Sequence, residues 1–235
     1  MAERSWRAVC AALLLVVVGL GQLHAESRHL APGFSSLPKG AAIVVMPPDI
    51  ELFSLSAGGV TEPRADWTTA AMTHVEAALQ ARAAELGVQV RTVSESQADD
   101  LAEVNALHAA VARSIAIHHL WGGNNALPTK EGKLDWSLGD AVLPIREATG
   151  GDYALFIWIR DSYASAERKA AIVVFALLGV SMSGGFQVGY ASLVDLRSGQ
   201  VLWFNQLIRG TGDLREAEPA KEAVSALLKD FPTSQ

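Results

Sequence analysis

The residues best placed for chemistry stand where two apolar runs end. Asp49 follows Ala41–Met46 and two prolines, while Arg160 and Asp161 directly follow Tyr153–Ile159. In open α/β sheets, ligands settle beyond the carboxyl ends of parallel strands. Were the two runs neighbouring parallel strands, Asp49, Arg160 and Asp161 would approach one another, with Ser162, Tyr163 and Ser165 adding polar groups. Two carboxylates and a guanidinium can hold a polar ligand, but the set specifies no reaction. The alternative is a structural ion pair beside a turn.

Other catalytic patterns fail. His108 and His118 are ten residues apart on one expected helix, about 15 Å of rise, so one metal cannot take both directly. His118 and His119 are adjacent and point about 100° apart. There is no HExxH, no GxGxxG and no P-loop. Gly179-Val-Ser181-Met-Ser183 lacks the closing glycine of a nucleophile elbow. Gly210-Thr-Gly-Asp213 reads as a turn. Cys10 is the single cysteine, which excludes an internal disulfide and a cysteine-based zinc site. No metal and no cofactor is expected.

Composition narrows the classes further. With 50% hydrophobic and 19% charged residues, the chain is too apolar for intrinsic disorder. A net charge of −6 leaves no electrostatic footprint for nucleic acid.

These residues need elements to hold them. Ala41–Met46, a β-branched run stopped by Pro47-Pro48, reads as a buried strand, and the stretch to Arg64 as a long loop. Asp66 caps a helix whose stripe is Met72, Val75, Leu79, Ala83 and Leu86, ending at Gly87. Val88–Val93 alternates as a half-exposed strand. A second helix from about Asp99 to His119 carries Leu101, Val104, Leu107, Val111 and Ile115. A short helix ends at Gly150-Gly151. Tyr153–Ile159 should be the central strand, Gln187–Leu196 and Gln200–Arg209 a hairpin, and Glu216–Lys229 the last helix. The result is an α/β fold with a mixed sheet of about five strands and helices packed on it. Residues 41–235 form one domain, after a linker over 26–40 rich in Ser, Pro and Gly.

Two stretches stand apart. Residues 1–25 combine Arg4 and Arg7 with the uncharged run Ala8–Leu20, the pattern of a secretory signal peptide cleaved near Ala25. Cys10 precedes the Leu/Val run, so a lipoprotein is not expected; the location is periplasmic or secreted. The second stretch is an apolar insert at about 168–185, whose core Ala170–Val180 carries no charge. It reads as a buried element, or as a self-association or membrane-surface segment, and is too short to cross a bilayer. Trp121 and Trp136 bracket a polar loop, where they either mark a binding surface or pack the loop down. With Phe175 and Leu178 they form the candidate interaction surface.

The motifs Asp152-Tyr153-Ala-Leu155, Val194-Asp195 and Gly199-Gln-Val201-Leu-Trp203 resemble the bacterial envelope α/β family of the curli-assembly-lipoprotein (CsgG-like) and TolB N-terminal-domain type. The resemblance covers about residues 40–230 and implies a TolB N-terminal-domain-like fold. It implies a non-enzymatic accessory role through contact with envelope proteins, in assembly, secretion or cell-wall support. Homo-oligomers or membrane-surface contact through 170–180 also fit. The runner-up is a periplasmic polar-ligand-binding protein or enzyme using Asp49, Arg160 and Asp161.

Overall fold

The computed structural model describes residues 28–86, 89–93, 97, 99 and 101–234. The signal-peptide expectation, Cys10, Ala25 and the Gly87 stop lie outside the described residues. The elements are β1 (Ala42–Val45), β2 (Asp49–Leu55), β3 (Thr61–Pro63), α1 (Ala65–Leu86), β4 (Gln89–Thr92), α2 (Ala102–Ile115), α3 (Leu143–Thr149), β5 (Tyr153–Ala164), α4 (Ala166–Leu177), β6 (Gly185–Asp195), β7 (Val201–Arg209) and α5 (Ala217–Leu227). The fold is α/β with a mixed sheet, which among the described residues has seven strands where about five were expected.

β5 organises the sheet. Its first residues pair with β1 and its remainder with β2, both parallel and both along one edge. Its other edge pairs with β6, antiparallel along its length, and β6 pairs with β7. β4 lies beside β1 and β3 beside β2.

β1 and β2 are one strand line interrupted by Pro47-Pro48. Val45 pairs with Leu155 and Asp49 with Trp158, so the β1–β2 line holds one extra residue there. An extra residue reverses which side chains face which way. Ile43 of β1 and Ile50 and Leu52 of β2 accordingly share one core although their parities differ. The prolines, which cannot donate to a ladder, mark the interruption.

β2 and β3 occupy the stretch expected as a loop. Ile50 and Leu52 are buried between Asp49, Glu51 and Phe53, a period of two that the prolines upstream masked.

Helices cover both faces. α1 and α5 pack on one, through Ala71, Val75, Leu79, Ala220, Val224 and Leu227 against Leu155, Ile157, Ile159 and Leu193. α2 and α3 pack on the other, through Val104, Ala112, Ile115 and Ile145 against Phe156, Trp158 and Phe204. The buried stripe of α2 passes through His108, whereas Leu107 is exposed. The imidazole is held in the core by Ser192 Oγ at 2.8 Å and by stacking on Phe156 at 4.7 Å between ring centroids. α2 continues through the wider π-helical turns Ala116–Trp121.

Residues 28–40, expected as a linker, are packed where described. Leu30 bridges Trp203, and Leu37 is buried and bridges Ser234. The Arg28 guanidinium donates to His119 O at 2.5 Å and Leu120 O at 2.9 Å. That ties the segment to the end of α2.

Candidate functional site

β5 supplies most of the charged candidates, and its pleat separates them. Successive side chains of a strand point to opposite faces. Trp158 and Arg160 therefore face the α2 side, whereas Asp161 and Tyr163 face the α1/α5 side. The expected convergence of Asp49, Arg160 and Asp161 does not occur: Asp49 meets Arg160, and Asp161 is directed away from both.

On the α2 side, Arg160 pairs with Asp49 at 2.7 Å and with Glu51 at 3.3 Å. Its guanidinium also lies over the Trp158 ring, 4.6 Å from the centroid. Glu51 was not foreseen, because the strand carrying it was not.

On the other side, Asp161 is buried and accepts three hydrogen bonds. Tyr163 Oη and Gln187 Nε2 donate to Oδ2 at 2.5 Å each, and the Ser162 N–H donates to Oδ1 at 2.8 Å. Burial raises the Asp161 pKa above the usual carboxylate value, and these donors only partly offset it. Burial, then the Asp161 charge, raises the Tyr163 phenol. Tyr163 Oη also accepts the Leu214 N–H at 2.6 Å, and Gln187 Oε1 accepts from Arg209 Nε at 2.6 Å. Beside them, burial would raise Asp213, but the hydrogen bonds and charge of Arg215 hold it below the usual value. Arg215 lies 4.3 Å from the centroids of both Trp67 and Tyr163. The polar groups of this cluster hold one another and Tyr163 acts as a brace, beside a small cavity of about 50 Å³ lined among others by Asp161, Tyr163, Gln187 and Arg209.

The open feature is on the α2 side. A cleft of about 410 Å³ lies where α2 no longer covers the sheet, lined among others by Phe53, Arg113, Trp121, Trp158, Phe186 and Tyr190. Trp158 stacks on Tyr190 at 5.1 Å and forms an aromatic floor. Trp121 and Phe186 stand at 57% and 52% exposure, large for such side chains. Arg113 stands over Trp158 at 5.8 Å and makes no ion pair with a described residue. Phe186 and Arg113 escape sequence reasoning because nothing in a strand or helix pattern tells where a covering helix ends.

The two loop tryptophans differ. Trp121 remains exposed, its Nε1–H donating to Gln206 Oε1 at 3.1 Å. Trp136 is half-buried, packed against the α2-side core and stacked on His118 at 6.5 Å. Phe175 and Leu178 are exposed on α4, at a different place from the cleft.

A second cavity, of about 200 Å³, lies at the carboxyl end of β1, lined by Pro47, Pro48, Glu76 and Gln80. It is where the positional rule for open sheets points, yet it contains none of the expected site residues. Among the described residues, no group of three or more His, Cys, Asp or Glu could hold a metal ion.

No protein-family model and no curated protein matches the chain. Solved structures do. The PelC dodecamer from Paraburkholderia phytofirmans is 13% identical, covers 86% of this chain and 96% of its own, and gives a TM-score of 0.39. Lipoprotein GNA1162 from Neisseria meningitidis is 17% identical, with coverages of 81% and 97% and a TM-score of 0.33. The LpoB C-terminal domain from Salmonella enterica is 13% identical, with coverages of 76% and 87% and a TM-score of 0.29. At these values the likeness is one of general α/β arrangement. None of the three is the curli-assembly lipoprotein or TolB that the sequence motifs suggested.

Proposed function

We infer that this chain is an exported accessory protein of the bacterial cell envelope, acting through protein–protein contact and not through catalysis. The observation that carries the reading is the cleft around Trp121, Trp158 and Phe186, a largely apolar surface open beside the sheet. Exposed apolar patches with aromatic anchors mark contact surfaces. Arg113 at the cleft, without a carboxylate partner among the described residues, favours a partner segment that is apolar with an acidic residue beside it. Export rests on the N-terminal pattern of residues 1–25.

The engagement of the charged groups argues in the same direction. Arg160 is neutralised by Asp49 and Glu51, Asp161 is enclosed by Tyr163 and Gln187, and Asp213 is paired with Arg215. The ligand-binding or enzymatic reading calls for the side chains of Asp49, Arg160 and Asp161 to converge; Arg160 and Asp161 both border the cleft, but their side chains engage separate partners.

Affinity capture from crosslinked cell envelopes tests the reading. The wild-type protein should recover a defined envelope protein, and Trp121→Ser/Phe186→Ser should lose it at unchanged thermal stability. Recovery undiminished by the double substitution would overturn the assignment to this cleft. The mass of the mature N-terminus separately tests cleavage near Ala25 and the expectation that Cys10 carries no lipid.

A further inference from the structure

The apolar run after β5 is neither core nor part of the cleft. α4 leaves the end of β5 at Ser165, whose side chain accepts the Arg168 N–H as a helix cap, and Arg168 is its only buried residue. Ala171 and Ile172 are still half-buried, and from Val173 on every residue of the helix is exposed. Leu177 and Leu178 are 84% and 72% exposed, and Val173, Val174, Phe175 and Val180 are exposed with them. No charged residue occurs between Lys169 and Asp195.

We propose that α4 and the turn after it form a finger that inserts tip-first into the hydrocarbon of one leaflet of a phospholipid bilayer. This goes beyond the protein-contact reading and does not depend on it.

The distribution of the exposed side chains selects lipid as the occupant. Val173 to Leu178 are six consecutive exposed residues, so at 100° per residue they project all around the helix axis rather than along one stripe. A groove on a protein, or the flat face of a second copy, covers one side of a helix and leaves the other in water. A medium that surrounds the helix buries every side at once. Length sets the depth: Ala170–Leu177, beyond the charged root, span about 12 Å, within one leaflet of a core about 30 Å thick and too little to cross it.

The backbone at the tip suits that medium. The Gly179 N–H donates to Ala176 O at 3.0 Å and the Val180 N–H to Phe175 O at 2.9 Å. This is a Schellman closure, with Gly179 at φ +76° as the left-handed residue. It satisfies carbonyls that a helix end would otherwise present to hydrocarbon.

The root is polar where the tip is not. Glu167, Arg168 and Lys169 fill the first turn. Arg168 donates from Nε to Ser183 O at 2.9 Å and from Nη1 to Ser56 O at 3.1 Å, fixing both ends of the excursion to the body. Charge at the base and none at the tip gives the finger one orientation at a membrane surface.

The test places a reporter at the tip of the exported, processed protein purified from cells. Leu178→Cys carries an NBD fluorophore, with Cys10→Ser in the background, and vesicles of phosphatidylethanolamine and phosphatidylglycerol are added. The proposal expects a blue shift and a several-fold rise in emission. It expects quenching by nitroxides on the acyl chains, and none for the same label at exposed Lys221→Cys on α5. Adding Leu177→Asp, which touches no core residue, should abolish the response with the circular dichroism unchanged. Emission indifferent to vesicles would overturn the proposal. So would a blue shift that follows protein concentration without vesicles, which would assign the finger to a second copy.

Discussion

Arg160 and Asp161 are consecutive on β5, yet their side chains stand on opposite faces of the sheet and belong to separate networks. Arg160 reaches Asp49 at 2.7 Å, and Asp161 is held by Tyr163 Oη at 2.5 Å. One residue of pleat thus turns an apparent charged site into two structural clusters, with an aromatic cleft next to the first.

The two clusters should differ in their energetic weight. Arg160 and Asp49 are partly exposed, so their ion pair contributes only about 0.2–1 kcal/mol. Asp49→Asn removes the charge of the pair while Arg160 keeps its carbonyl hydrogen bonds and its place over Trp158, and should lower the stability by no more than about 1 kcal/mol in urea denaturation. A loss several times larger would show that the α2-side pair is not the weak surface contact described.

Tyr163→Phe removes more. The hydroxyl donates to buried Asp161 and accepts from the Leu214 N–H, so its deletion leaves the Leu214 N–H unpaired and takes one of three donors from Asp161. The expected cost is about 1–3 kcal/mol by the same denaturation. A variant as stable as the wild type would contradict the enclosed network.

His108 makes stability depend on pH. Burial pushes its pKa down from 6.5 to about 3. The unfolded chain binds a proton below 6.5 that the folded chain accepts only near 3. Stability from this residue is therefore complete above 6.5 and is lost as the pH falls through that window, at up to about 1.4 kcal/mol per pH unit. His108→Leu should be less stable at neutral pH, because Ser192 loses its partner, and should have a flatter pH profile between 4 and 6.5. An unchanged profile would count against the neutral buried imidazole.

Much of this architecture was legible in the sequence, for identifiable reasons. Ala42–Val45 and the central run from Tyr153 are β-branched and aromatic, and α1 has a continuous apolar stripe. β2 was hidden because Pro47-Pro48 punctuates the chain as a loop would, although Ile50 and Leu52 alternate with Asp49 and Glu51. Hydropathy places Leu107 rather than His108 in the α2 stripe; Ser192 and Phe156, distant in sequence, decide for His108. The candidate site was half legible. Position after a strand suggested Asp49 with Arg160, but a strand expected to end at Ile159 continues to Ala164, and its pleat takes Asp161 away. Whether Ala170–Val180 was buried could not be read from hydropathy, because an apolar helix looks the same inside a protein and outside it.

Arg168 links the loop after β2 to the return of the finger, through Ser56 O and Ser183 O. Arg168→Ala leaves two partly buried carbonyls without this donor, and hydrogen bonds from a charged group contribute about 1.5–3 kcal/mol each. The expected result is faster proteolytic cleavage between residues 178 and 184, with a smaller loss of global stability, since neither core contains α4. Cleavage there at the wild-type rate would show that the clamp does not hold the finger.

The central claim, that the protein works by contact through the cleft of Trp121, Trp158 and Phe186, is tested most directly by photo-crosslinking in living cells. A photoreactive phenylalanine replaces Phe186 in the cleft, or exposed Lys221 on α5 as the comparison. The account predicts one discrete adduct with an envelope protein from position 186, absent from position 221 and lost when Trp121→Ser is added. No adduct at 186, or the same adducts at both positions, would contradict it.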